Sequence, residues 1–186
     1  LGSQPALYFE VPNALWTLRD LGVWDLIYEH CSYFTPHSLV RLFTEAGFGV
    51  LNIAERYNGQ FLGIELTPGV SAVTQGASVE GDSLAKLVLA FAENYRSRVE
   101  SWQKRFAQIG WEGKRIVVWG GGSKGVTFLN VMRAGIEFMI DINPRKQGMY
   151  VAGTGQQIVS PEFLRTYAPD LVIVMNPIYM DEIRTM

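Results

Sequence analysis

Cysteine is nearly missing from this chain. Cys31 is the one thiol in 186 residues, so no internal disulfide can form, and a reducing compartment, the cytoplasm, is the expected setting. Histidine is almost as scarce, with only His30 and His37. No apolar run approaches the ~18 residues that a membrane-spanning helix needs. Neither sign of charge dominates: 16 lysines and arginines stand against 18 acids, for a net charge of −2, and basic residues form no long run. Nucleic acid and membrane are therefore not expected partners. The apolar share, 48%, excludes general disorder, and the length allows one domain or two small ones.

Glycine, by contrast, is plentiful, and its densest stretch organises the second half of the chain. In Arg115–Gly125 (RIVVWGGGSKG), Ile116–Trp119 form an apolar run without a polar break, as expected of a strand buried on both faces of a parallel sheet. Gly120, Gly122 and Gly125 then stand in G-x-G-x-x-G spacing, and Val126, Leu129 and Met132 switch to a helical period. Strand, glycine turn and helix together point backbone N–H groups and a helix N-terminus at an anion. Lys124 at the start of that helix opposes its dipole, so an anionic partner is expected nearby. Asp141 closes the next strand, Phe138–Asp141, where an acid commonly grips a ribose hydroxyl. Gly120, Gly122, Gly125 and Asp141 are thus a candidate nucleotide site. Three glycines that merely permit a tight strand–helix crossing are the plainer alternative.

In chain order, Ala6–Val11 reads as a strand and residues 14–21 as a short helix. Trp24–Phe34 is a segment dense in aromatics. Thr35-Pro36 supplies an N-cap and a first-turn proline for a helix that Gly47 ends. Strands at 50–54 and 60–66 follow, joined around Asn58-Gly59. Residues 67–81 read as a linker rich in Gly, Ser and Thr. Leu84, Leu87, Val88, Phe91, Tyr95, Val99, Trp102, Phe106 and Ile109 then recur at helical steps, predicting one long amphipathic helix over 82–110. Residues 145–155 read as a basic, solvated turn (Arg145, Lys146) and a glycine-rich loop. A short helix near Ser160-Pro161, a buried strand at 171–175 and a last helix at 179–184 complete the pattern. Alternating strands and helices predict an α/β fold with a small doubly wound sheet.

The residues Glu10-Val11-Pro12 and Glu29-His30-Cys31-Ser32-Tyr33-Phe34 resemble the later half of the S-adenosylmethionine-dependent sugar C-methyltransferase family, whose pattern runs E-V-P and then Y-x-E-H-x-S-Y-F. DINPRKQGMYVAGTGQQI and VIVMNPIY look like that family's appended C-terminal Rossmann-like domain. The chain departs from the pattern at one place: Ile27 stands where the tyrosine is expected, and Tyr28 adjoins Glu29 directly. The resemblance implies part of a class I methyltransferase sheet over residues 1–66, the linker 67–81, a connecting helix over 82–110 and a Rossmann-like domain over 111–186. It further implies a donor loop in an earlier strand–turn–helix, so the chain is expected to be an inactive fragment of its parent enzyme. The glycine turn at Gly120 would then serve a nucleotide rather than S-adenosyl-L-methionine. An open edge on the strand holding Phe9 and Glu10 is expected to be covered, which with the long helix offers a route to self-association.

Methylation at carbon needs a carbon nucleophile, usually an enolate made by removing a proton beside a carbonyl. A base working near neutrality suits that step, and histidine is the residue type that starts there. His30 is the candidate base, with Glu29 holding its tautomer and Tyr28 or Tyr33 donating to the developing oxyanion. By itself Glu-His is a weak signal, since a histidine among aromatics is more often a packed core residue. The spacing of Glu29, His30, Cys31 and His37 matches no usual zinc pattern, and no metal is expected. The implied substrate is a small molecule such as a nucleotide-linked keto sugar. The rival is a non-catalytic nucleotide-binding or docking domain; a nicotinamide oxidoreductase is disfavoured because no catalytic dyad follows the glycine turn.

Overall fold

The structure, a computed structural model, describes residues 5–69 and 81–186. Most of the expected linker at 67–81 falls on residues 70–80, outside the described residues. The chain divides into two compact units. One comprises residues 1–23 and 29–95, the other residues 24–28 and 96–186.

The first unit is built on a three-stranded antiparallel sheet. Strand β1 (Leu7–Pro12) leads through helix α1 (Ala14–Arg19) and a 3-10 turn (Val23–Asp25) to helix α2 (Pro36–Glu45). Strands β2 (Phe48–Arg56) and β3 (Phe61–Pro68) follow, and the sheet order is β1-β3-β2. Thr35 caps α2 as its sequence predicts: its hydroxyl accepts from the Ser38 N–H, while the Ser38 hydroxyl accepts from the Thr35 N–H. Gly47 lies just past the helix at φ +84°, a conformation that costs a residue without Cβ little. The hairpin turn is wider than an Asn-Gly pair requires, because Tyr57, Asn58 and Gly59 all take positive φ.

Register fixes which face of this sheet is apolar. Leu7, Leu66, Ile64, Val11 and Leu62 pack with Leu39, Val40 and Val50, and the exposed Phe9, paired with Ile64, meets Phe43 of α2 at 5.0 Å between ring centroids. A bulge between Val50 and Asn52 makes room for an extra residue, so Ile53 pairs with Ile64 on the same face as Val50 although three positions separate them. The opposite face carries Tyr8, Glu10, Asn52 and Glu65.

Helix α3 (Gly81–Trp111) is divided between the units at Tyr95/Arg96. Among its described side chains, the buried and half-buried positions are the predicted stripe without Val88, which is exposed. The second unit then runs β4 (Ile116–Trp119), α4 (Ser123–Met132), β5 (Phe138–Ile140), β6 (Gln157–Val159), α5 (Phe163–Tyr167), β7 (Leu171–Val174) and α6 (Met180–Thr185). Its four strands are all parallel in the order β6-β5-β4-β7. Ile116 and Val118 face a core shared with Phe106, Phe128 and Leu129, whereas Val117 and Trp119 face Leu164, Tyr167 and Ile183. Helices therefore cover both faces, as a doubly wound sheet requires.

Two expectations need correcting. Strand β6 lies where the sequence suggests only the end of a glycine-rich loop, because three residues, Gln157-Ile158-Val159, are too few to show a period. Asp141 lies just past β5, which ends at Ile140. No helix among the described residues is long and apolar enough to cross a membrane.

Candidate functional site

The glycine turn has the local geometry its spacing predicts, and each glycine answers to a different constraint. Gly120 takes φ +117° and donates its N–H to the Ile140 carbonyl at 2.9 Å. A Cβ on Gly125 would stand 2.1 Å from the Gly120 carbonyl oxygen, so only glycine lets α4 lie this close to the turn. A Cβ on Gly121 would press the Asp141 carboxylate at 2.7 Å. Gly122, by contrast, has nothing within 4 Å of where its Cβ would sit, and it begins α4 without any side-chain cap. The turn thus leaves an open approach to the first N–H groups of the helix.

Asp141 is buried and engaged by three donors of its own neighbourhood. One carboxylate oxygen accepts from the Gly121 N–H at 3.0 Å and from Lys146 Nζ at 3.3 Å; the other accepts from the Asn143 N–H at 2.8 Å. Lys146 also donates to the Gly121 carbonyl at 3.0 Å, and Gln147 donates to the Asp141 carbonyl at 3.1 Å. The solvated turn expected at Arg145-Lys146 holds for Arg145 alone; Lys146 is half-buried and braces the glycine turn. A ribose hydroxyl approaching Asp141 would compete with three existing donors. A cavity of about 580 Å³ in the same unit is lined by Trp119, Ile142, Gln147, Leu164, Glu162 and Arg165, among others. The Glu162 carboxyl there is held below its usual range, chiefly by a hydrogen bond from Ser160.

The anion that Lys124 calls for is supplied by the chain itself. Asp25 Oδ1 lies 2.7 Å from Lys124 Nζ, and Trp24 meets the Phe128 ring edge-on at 4.9 Å between centroids. Sequence reading passed over Asp25, since nothing in its spacing ties it to a lysine about a hundred residues on.

The Glu-His segment follows directly. Tyr28 and Glu29 form a turn, and Tyr28 is 98% exposed. His30 is half-buried, with Nδ1 enclosed and without a hydrogen-bond partner. Tyr33 meets its ring edge-on at 6.0 Å. The structure therefore brings Tyr33 to His30. Glu29 is exposed, and its carboxylate makes no hydrogen bond to the enclosed Nδ1 of His30. Beyond Tyr33 the chain is fastened again, as the Phe34 carbonyl accepts from the Ala14 N–H at 2.9 Å. Asn13 beside it is buried and satisfied by the Leu15 N–H, the Gly59 carbonyl and Glu55.

Residues 65–186 match the family model described as the C-methyltransferase C-terminal domain. The chain belongs to that C-methyltransferase family. A similar protein is C-methyltransferase NovU of Streptomyces niveus, 25% identical over 192 residues, which cover 95% of this chain and 45% of NovU. This family member thus spans less than half the length of its curated relative. The glycine turn, the Lys146 brace and the cavity lie inside the matched domain, whereas Glu29, His30 and Tyr33 fall in the part covered by the likeness to NovU.

Proposed function

We propose that this chain is the later part of a methyltransferase that transfers a methyl group from S-adenosyl-L-methionine to carbon in a small molecule such as a nucleotide-linked keto sugar. The observation that carries this reading is the partly exposed His30 ring with its inner nitrogen unpaired and Tyr33 at its edge. A buried polar atom without a partner costs about 1–3 kcal/mol and calls for an explanation. A catalytic histidine whose orienting carboxylate engages only with substrate bound supplies one, since such hydrogen bonds are often loose in the free enzyme. In this reading Nε2 of His30 removes the proton beside the substrate carbonyl. Glu29 swings onto Nδ1 and steadies the imidazolium, and the Tyr33 hydroxyl donates to the enolate oxygen. Tyr28, nearly fully exposed, takes no part unless substrate covers it.

The glycine turn does not fit the methyl donor, because the acid that would hold its ribose already carries three hydrogen bonds. The donor is accordingly held elsewhere, and this chain alone is expected not to bind it at micromolar concentration. The test is His30→Gln in the enzyme with its donor-binding region present. Methyl transfer should fall by roughly 100- to 10,000-fold, the usual worth of one positioned base. Transfer at the parent rate would overturn the reading.

A second reading has its own support. The open space at Gly122 and the uncapped start of α4 suit a phosphate. Gly120 and Gly125 would then shape the seat, with Asp141 bracing it rather than touching ribose. Calorimetry of this chain with NAD and with nucleoside diphosphate sugars separates a nicotinamide site from a sugar-nucleotide site.

A further inference from the structure

We infer that Asn13 is a positioning residue for the His30–Tyr33 ring pair. Its buried amide locks together the end of β1, the start of α1 and the β2–β3 turn, and that junction holds the chain at Phe34, next to Tyr33. All of these residues belong to the first unit. His30 enters here as the functional histidine of the proposed methyl transfer, and on that reading the inference rests.

Asn13 is 1% exposed, yet each of its polar atoms is engaged. Oδ1 accepts from the Leu15 N–H at 3.1 Å and so caps α1, while Nδ2 donates to the Gly59 carbonyl at 2.9 Å and to Glu55 at 3.2 Å. Its backbone carries the β1–β3 pairing one step past Pro12–Phe61, the Asn13 N–H donating to the Gln60 carbonyl at 2.9 Å. The Asn13 carbonyl accepts from the Thr17 N–H at 3.1 Å. Asn13 also bridges to Phe34, whose carbonyl accepts from the Ala14 N–H at 2.9 Å. The turn is drawn in close, since a Cβ on Gly59 would stand 3.1 Å from Trp16 Cδ1. Phe34 adjoins Tyr33, whose ring meets His30 edge-on at 6.0 Å. Where Phe34 is held therefore sets where the Tyr33 ring is presented to the imidazole. A buried polar network with every member satisfied specifies one arrangement. The residue type fits this role, because the site asks for one acceptor and two donors on a short side chain, and asparagine supplies both. Aspartate would still cap α1, but it would set a carboxylate against Glu55 and take the donor from the Gly59 carbonyl.

The test compares Asn13→Asp with the double variant Asn13→Asp, Glu55→Gln, in which residue 55 becomes the donor and residue 13 the acceptor. His30 and His37 are the two histidines of the chain, so their ring protons are separately readable by NMR. His37, exposed on α2 behind that helix's own cap, is the internal control. In Asn13→Asp the His30 ring signals should shift and broaden while those of His37 hold still, and the double variant should return them most of the way. Loss of stability alone would not single out His30. In the enzyme with its donor-binding region present, Asn13→Asp should lower kcat by up to about 100-fold, as a misplacement of about 1 Å does, with KM for the donor unchanged. Unchanged His30 signals in Asn13→Asp overturn the inference, as does a double variant that fails to restore them or a disturbance that reaches His37 equally. Where His30→Gln impairs transfer, an unchanged kcat in Asn13→Asp overturns it as well. If Asn13→Asp does not fold, the double variant decides by itself: parent-like His30 signals support the inference, and a second failure to fold overturns it. If His30→Gln leaves transfer intact, His30 falls as a base while its ring signals still report whether Asn13 positions it. If His30→Gln abolishes transfer and Asn13→Asp leaves the ring signals unmoved, the base stands and the positioning falls.

Discussion

The two sheets of this protein solve the same problem in opposite ways. β4 is buried on both faces and reads as an unbroken Ile-Val-Val-Trp, whereas β1 and β3 alternate, with Leu7, Phe9 and Val11 toward α2 and Tyr8 and Glu10 away from it. A parallel strand needs crossover helices, which cover both faces; an antiparallel one can be joined by a turn and keep one polar side. The difference teaches where tolerance lies. In the parallel unit the side chains of β4 are committed on both faces and the turns above it are crowded. In the antiparallel unit only one face is committed.

Substitutions can sharpen or break that contrast. The largest effect is expected for Phe128→Ala in the parallel unit. This side chain is fully buried against Trp24, Trp102 and Phe106, and its loss should cost about 3–5 kcal/mol by chemical denaturation. Tyr8→Ala on the outer face of β1 should cost far less, and equal losses would erase the contrast. Next comes the glycine turn. Gly125→Ala drives a Cβ into the Gly120 carbonyl and should cost about 1–3 kcal/mol or more, while Gly122→Ser meets open space and adds a cap, for a gain of a few tenths. Similar melting temperatures for the two variants would show that the turn is not crowded as described. Thr35→Ala removes the hydroxyl that accepts from the Ser38 N–H, leaving the backbone N–H of residue 35 on the Ser38 hydroxyl, and should cost about 1 kcal/mol in the antiparallel unit.

The smallest effect concerns pH. Burial first, then the Glu137 charge and its hydrogen bond, push the Tyr167 phenol above its ordinary value of 10.0. The folded protein therefore holds this proton after the unfolded chain has begun to lose it. Stability should fall as pH rises above about 10, until the folded-state phenol itself ionises. Tyr167→Phe should flatten that decline, and an unchanged slope in alkaline denaturation would refute the assignment.

The glycine turn was legible because its constraints are local: Gly120, Gly125 and the strand before them lie within ten residues. The α2 cap and the long stripe of α3 were legible for the same reason. Strand β6 was hidden because three residues carry no period. The Lys146 brace and the Asp25–Lys124 pair were hidden because a charge on a turn looks solvated until folding brings its partner near. At Glu29-His30 the residue types suggested a dyad, yet adjacency in sequence did not bring the carboxylate to the imidazole; the ring contact with Tyr33 needed three dimensions.

By itself, then, the sequence determined the alternation of elements, the glycine turn and the residue types available for proton transfer, since each follows from neighbours a few positions apart. The tertiary structure alone decided that Asp141 accepts from Gly121, Asn143 and Lys146, that Tyr33 rather than Tyr28 meets His30, and that Asp25 pairs with Lys124. Those outcomes depend on which distant charges and rings share a few ångströms, which only the packed chain fixes.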